Sequence, residues 1–148
     1  MSKYKRILVA IDGLDMTDSV MNTAKEFVTS ETEVFVVNVV DFPGTLGAIN
    51  EDAIINKDID IAKDLLTHVV ERHQGLVNQA KSVNKRVVVG NPHQVIAKEF
   101  IREHDIDLIV IGKTSQTTLM DKIFIGSTAK AILEDALCDV VVVKTPYE

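Results

Sequence analysis

Five short apolar runs separated by longer stretches of helical periodicity predict an α/β protein, a three-layer sandwich with helices on both faces of a five-stranded parallel sheet. Two observations carry this. The runs ILVAI, VFVVNVV, RVVV, LIVI and VVVV are nearly unbroken rather than alternating, the mark of strands covered on both faces. Between them lie stretches long enough to cross back over the sheet, with no internal repeat and no linker-like segment, so the whole chain, residues 1–148, reads as a single domain.

The first strand spans residues 7–11 and ends at Asp12-Gly13, after which Asp15 or Thr17 can cap a helix whose apolar side is Val20, Ala24, Phe27 and Val28. The second strand spans 34–40 and stops at Asp41. Pro43, Gly44 and Gly47 mark the following loop. A long helix over about 52–73 shows one stripe, Ile59, Ala62, Leu66 and Val69, widened by Leu65 and Val70. Residues 75–84 read as a connection and 86–89 as the third strand, stopped by Gly90-Asn91-Pro92. Proline suits a first helical turn, and the helix it opens would bury Val95, Ile96 and Phe100. The fourth strand is 108–111. The last helix, 127–137, would bury Ala131 and Ile132, and the last strand is 140–143.

Composition narrows the function. A chain of 148 residues can bury a core without a disulfide or metal staple. A net charge of −6 argues against nucleic-acid binding along the phosphate backbone, which needs a basic face. One cysteine, Cys138, cannot form an intramolecular disulfide, and the four histidines show no zinc spacing. The apolar run after MSKYKR is cut short at Asp12, too soon for a signal sequence, and no run approaches a membrane span of about 20 residues. A reduced, cytoplasmic setting is the expectation, with no membrane partner.

The stretch DLIVIGKTSQTTLMDKIFIGS points to a ligand. A strand ends in Gly112, a polar loop follows, and Gly126-Ser127-Thr128 opens a helix. The first N–H groups of a helix lack intrahelical partners and its dipole favours an anion, so this pattern suits a phosphate. In a parallel sheet, ligands bind beyond the carboxyl ends of strands where the strand order reverses. Asp12 and Gly112 both stand at carboxyl ends, and they flank such a crevice if the first and fourth strands are neighbours. Lys113 adds a cation to the loop.

On these residues the chain resembles the universal stress protein family. YKRILVAIDG looks like the family's first strand and aspartate, VVNVVD its second strand, GNPHQVIAKEF its glycine-x-proline turn and third helix, DLIVIG its fourth strand, and GSTAKAILEDALCDVVVVK its final helix and strand. The resemblance implies strand order 3-2-1-4-5 and homodimers paired through the last strand, here from Val140 to Lys144. It implies an adenine-nucleotide-binding regulator of stress responses in many members and a scaffold without nucleotide in others. The ATP binders share a loop of glycine, two residues, glycine, nine residues, glycine and a hydroxyl residue. Gly112, Gly126 and Ser127 match, but Ser115 replaces the middle glycine and the span to Gly126 is one residue longer. A glycine there lets the backbone approach phosphates closely, whereas serine offers a hydroxyl instead. Carried across, Asp12 would meet the ribose, Ala10 and Ile11 with Val39 opposite would frame the adenine, and Gly112, Ser115, Gly126, Ser127 and Thr128 would line the phosphates of ATP, ADP or AMP. Magnesium would arrive with the phosphates.

Each residue also has a plainer reading. Asp12 can cap a helix, Gly126-Ser127 can be a turn and an N-cap, and Lys113 can be solvated. Cys138 reads as a small filler rather than a nucleophile. His68 and His73, five apart, cannot share a metal on one helix face, and His93 reads as a surface histidine near the strand ends. Glu51, Asp52, Asp58 and Asp60 read as a solvated face. No nucleophile has an adjacent base, so no catalytic residue is assigned.

Overall fold

The computed structural model describes residues 3–12, 16–41, 51–113 and 127–144, without the side chains of 51–54 and of Ser127. Strands β1 (Arg6–Ala10), β2 (Glu33–Val40), β3 (Ser82–Val89), β4 (Leu108–Gly112) and β5 (Asp139–Val143) form one parallel sheet in the order β3-β2-β1-β4-β5. The fold class and strand order are those expected from the sequence, and the first and fourth strands are neighbours.

Continuous apolar strands dictate two cores. On one face α1 (Thr17–Lys25), α2 (Glu51–Arg72) and the short α3 (Gln74–Gln79) cover Ile7, Val9, Val34, Val36, Leu108 and Val110, using Val20, Met21, Leu66, Val69 and Leu76. On the other face Leu8, Phe35, Val37, Ile109 and Ile111 meet Val95, Ile96, Phe100 and Ile101, together with Ala129 and Ile132 of α6 (Ser127–Asp135). Successive strand residues thus alternate between the two cores, which is why no polar residue interrupts β1 after Arg6 or β4 before Gly112.

The connection from β3 to β4 starts at α4 (Pro92–Gln94), tightens into a π-helical turn over Val95–Glu99 and closes as α5 (Phe100–His104). Asn91 caps it, its side-chain oxygen accepting the Gln94 N–H at 3.1 Å. Asp105, at φ 52°, ends it in the left-handed conformation that asparagine and aspartate tolerate. In the π turn the Ala97 carbonyl accepts the Leu137 N–H at 3.3 Å, tying this layer to the turn before β5.

Several sequence expectations need correction. α1 begins at Thr17 itself, with Met16 at the cap position and no side-chain cap, so Thr17 lies inside the helix with its hydroxyl buried and without a partner among the described residues. The other candidate cap, Asp15, lies outside the described residues. Phe27 and Val28 follow the helix in turns bonded to the Ala24 and Lys25 carbonyls. The connection over 75–84 contains α3, and β3 starts at Ser82 rather than Arg86. In α6 the buried alanine is Ala129, with Ala131 half-buried.

Candidate functional site

The reversal of strand order falls between β1 and β4. Val9 pairs with Val110, so two residues further on Ile11, just past the end of β1, comes level with Gly112, the last residue of β4, and Asp12 follows at the rim. β2 extends beyond β1 and forms a third wall. Its Val37 carbonyl accepts the Ile11 N–H at 3.0 Å, and the Asn38 side-chain amide donates to the Ile11 carbonyl at 2.9 Å. The backbone that presents Asp12 is therefore clamped on both of its polar groups by β2. A buried strand rarely carries asparagine, and VVNVV was the sequence signal for this clamp.

The expected adenine wall is brought together only in part. Ala10 and Val39 are half-buried and belong to the same face of the sheet, next to Val37 and Ile111. Ile11 is 6% exposed and turns into the opposite core, so it contributes backbone to the crevice, not a side-chain wall. Asp12 is exposed at the rim and has an interaction partner of its own.

At the other strand end, Gly112 has a reason of its own to lack a side chain. A Cβ there would stand 2.9 Å from Cβ of Met16 and 3.2 Å from its Cγ. The start of α1 lies directly on the end of β4, a contact only glycine permits at normal van der Waals distance. Lys113 is half-buried, and its N–H donates to the Val143 carbonyl at 2.7 Å, extending the β4–β5 ladder into the loop. Thr128 is exposed in the first turn of α6, and Ser127 begins that helix. Ser115 and Gly126 lie outside the described residues, as does the loop between them.

The remaining candidates have local partners. His93 pairs with Asp135 at 2.8 Å, bridging α4 to α6. His73 pairs with Asp18 at 2.8 Å, and Arg72 reaches the same oxygen at 3.1 Å. His68 donates back to the Asp64 carbonyl at 2.8 Å, so the two histidines of this helix end have separate partners. Asp58 and Asp60 are exposed. Burial, followed by the charges of Asp107 and Asp139, pushes the Cys138 thiol up to about 11, which suits a half-buried filler. Among the described residues there is no cluster of three metal-binding side chains and no helix long and apolar enough to cross a membrane.

Comparison with known proteins agrees with this architecture. A relative from Staphylococcus saprophyticus, assigned to the universal stress proteins, is 32% identical over 98% of this chain and 86% of its own length. One from Staphylococcus aureus strain USA300 is 31% identical over 98% and 87%. Among solved structures, the universal stress protein UspA from Lactobacillus plantarum superimposes with a TM-score of 0.77 at 24% identity, covering 97% of this chain and 99% of its own. The universal stress protein from Archaeoglobus fulgidus, solved in complex with dAMP, gives 0.64 at 26% identity, covering 95% and 98%. The universal stress protein family model matches residues 3–144, so the chain belongs to the universal stress protein family.

Proposed function

We infer that this protein binds an adenine nucleotide in the crevice between β1 and β4 and acts as a dimeric regulator in stress responses. The observation that carries the reading is the meeting of Asp12 and Gly112 at adjacent strand ends at the reversal of strand order, beside the half-exposed Ala10 and Val39. A related structure, that of the Archaeoglobus fulgidus protein, contains dAMP. In this reading the Asp12 carboxylate accepts hydrogen bonds from the ribose hydroxyls. Ala10 and Val39 pack the base, with the Ile11 backbone beneath it. Lys113, Ser115, Gly126, Ser127 and Thr128 face the phosphates, helped by the free N–H groups at the start of α6. Magnesium would ride on the phosphates, since the described residues offer no carboxylate cage for it.

The dimer would form through β5. Its four valines carry no charge and, among the described residues, its outer edge has no neighbour in the sheet. The other edge, β3, places exposed Lys85 and Arg86 mid-strand, a standard protection against edge pairing.

Thermal unfolding with millimolar ATP, ADP and AMP plus magnesium tests the nucleotide reading. Ligand at about 100 times Kd adds about 2.7 kcal/mol, and Asp12→Ala should abolish the shift. A protein that melts identically with all three nucleotides favours the second reading, a dimeric scaffold, for which the observation is Ser115 in place of the loop's middle glycine.

A further inference from the structure

The β3 edge of the sheet carries a signal of its own. No acidic residue stands between Glu71 and Glu99, in a chain that has 22 of them. β3 lies in the middle of that stretch, runs for eight residues and has no strand on its outer side among the described residues. Lys81, just ahead of it, and Lys85 and Arg86 within it are exposed. None of the three forms an ion pair among the described residues. An acidic protein thus presents one cationic strand edge.

The pairing with β2 shows which backbone groups are open. The Gly90 N–H donates to the Val40 carbonyl at 3.0 Å, and Val89 is the ladder partner of Val40. Gly90 therefore faces β2, and successive residues alternate sides. Asn84, Arg86 and Val88 direct their N–H and C=O at β2, whereas Val83, Lys85, Val87 and Val89 direct theirs outward. An open row of this kind is a template for a further strand. Arg86 modifies the template. Its Nη1 donates to the outward Lys85 carbonyl at 3.1 Å, so the side chain bends along the edge and caps the acceptor at its centre. The Lys85 ammonium is drawn aside and donates to the Thr67 hydroxyl of α2 at 3.3 Å.

We propose that the β3 edge docks an extended acidic segment of another protein by strand addition, with a carboxylate on Arg86 and apolar side chains toward Val87 and Val89. An uncharged strand has to displace the guanidinium with nothing to offer in exchange. A strand with a carboxylate beside Arg86 replaces that bond with a charge-assisted one and frees the Lys85 carbonyl for its own N–H. A second copy of β3 would bring cations against cations, which opposes self-pairing. The net charge of −6 acts weakly on the segment, because exposed charges beyond about 8 Å are screened at physiological salt. Past Arg86 the edge turns apolar, with Val87 half-buried and Val89 42% exposed. The site lies on the opposite edge from β5 and needs neither a nucleotide nor a dimer.

Amide hydrogen exchange followed by NMR reads strand addition residue by residue. The probe is a short peptide of alternating glutamate and valine, added at millimolar concentration to the intact protein. Exchange at Val83, Lys85, Val87 and Val89 should slow at least about tenfold, while Asn84, Arg86 and Val88, already bonded to β2, keep their rates. The slowing should fade in high salt and be absent with a peptide of alternating lysine and valine. Arg86→Glu, at an exposed position, should keep the parent's circular dichroism spectrum and reverse the preference, taking the lysine peptide and refusing the glutamate one. No slowing in the parent protein, or equal slowing by both peptides, overturns the proposal. Slowing confined to β5 places strand addition at the other edge and overturns it as well. Outward β3 amides already protected in the free protein, increasingly so at higher protein concentration, would give the edge to a second copy and overturn it too.

Discussion

Replacing Gly112 with alanine should destabilise the protein for a reason unconnected with any ligand. The new Cβ would lie 2.9 Å from Cβ of Met16, 3.2 Å from its Cγ and 3.4 Å from Cγ2 of Val20. Ordinary contacts begin near the last of these distances, so the first needs about half an ångström of relief. A Cβ cannot swing away as a side-chain tip can, so the start of α1 must move off β4. Met16 is 4% exposed and Val20 2%, so that movement opens a packed core. Overpacking of this kind costs about 1–3 kcal/mol. For a domain of this size each kcal/mol lowers Tm by about 2–4 °C. Urea denaturation without nucleotide is the assay. The combination with Met16→Gly provides the control, since removing the Met16 Cβ should make Gly112→Ala cost at least about 1 kcal/mol less than it does alone. If Gly112→Ala lies within about 0.5 kcal/mol of the parent in both backgrounds, the close approach does not require glycine, and its presence would need another cause.

Other expectations follow from single contacts. Asn91→Ala should cost about 1 kcal/mol in urea denaturation, because it orphans the Gln94 N–H at a helix start; a cost under about 0.3 kcal/mol would mean that solvent replaces the cap. Hydrogen bonds from His73 and then Arg72 hold the Asp18 carboxyl below its ordinary 3.8. The stabilisation this gives is present above that value and is lost as pH falls through the lower folded pKa. Asp18→Asn should therefore be less stable than the parent at pH 5, by well under 1 kcal/mol because the pair is exposed and screened. That difference should shrink below pH 3.8, and one that instead grows in acid would contradict the assignment. Cys138, held at about 11, should alkylate with iodoacetamide at pH 8 at least about tenfold more slowly than a free thiol. Alkylation at the free-thiol rate would show that the side chain is more open than its burial indicates.

What the sequence made legible was governed by apolar density. Every strand with a continuous apolar run was readable to within a residue or two, because burial on both faces leaves no room for ambiguity about the pattern. β3 was cut short because three of its first four residues, Ser82, Asn84 and Lys85, are polar. Those residues join the sheet through backbone pairing with β2 and lie half-buried or exposed at the edge, where no apolar pattern is needed. α3 was hidden because six residues do not form a helix unaided. It is held by the buried Leu76 and by the Gln79 amide, which donates to the Lys25 carbonyl at 3.0 Å at the end of α1. The π turn left no trace, and the Ala97 carbonyl within it is bonded to Leu137, forty residues on.

The site was legible as a place more than as a set of side chains. Asp12 and Gly112 were readable as strand ends from the order of elements, whereas the strand order that sets them at the reversal point came from the family resemblance. The Ile11 side chain, expected to frame an adenine, lies in the opposite core, because alternation turns every second residue away from the crevice side and the sequence alone does not fix which one. The Asn38 clamp became intelligible only once β2 was seen to outrun β1 at the crevice. The packing of Met16 on Gly112 gives that glycine a structural purpose that a loop motif does not contain.

The most direct test of nucleotide binding is native mass spectrometry of the protein purified without added nucleotide, then with millimolar ATP, ADP or AMP and magnesium. The account predicts a dimer that carries, or takes up, one adenine nucleotide per chain, and an Asp12→Ala variant that remains dimeric and carries none. A bare dimer that ignores all three nucleotides would contradict it, and would move the search for function from the crevice to the surface.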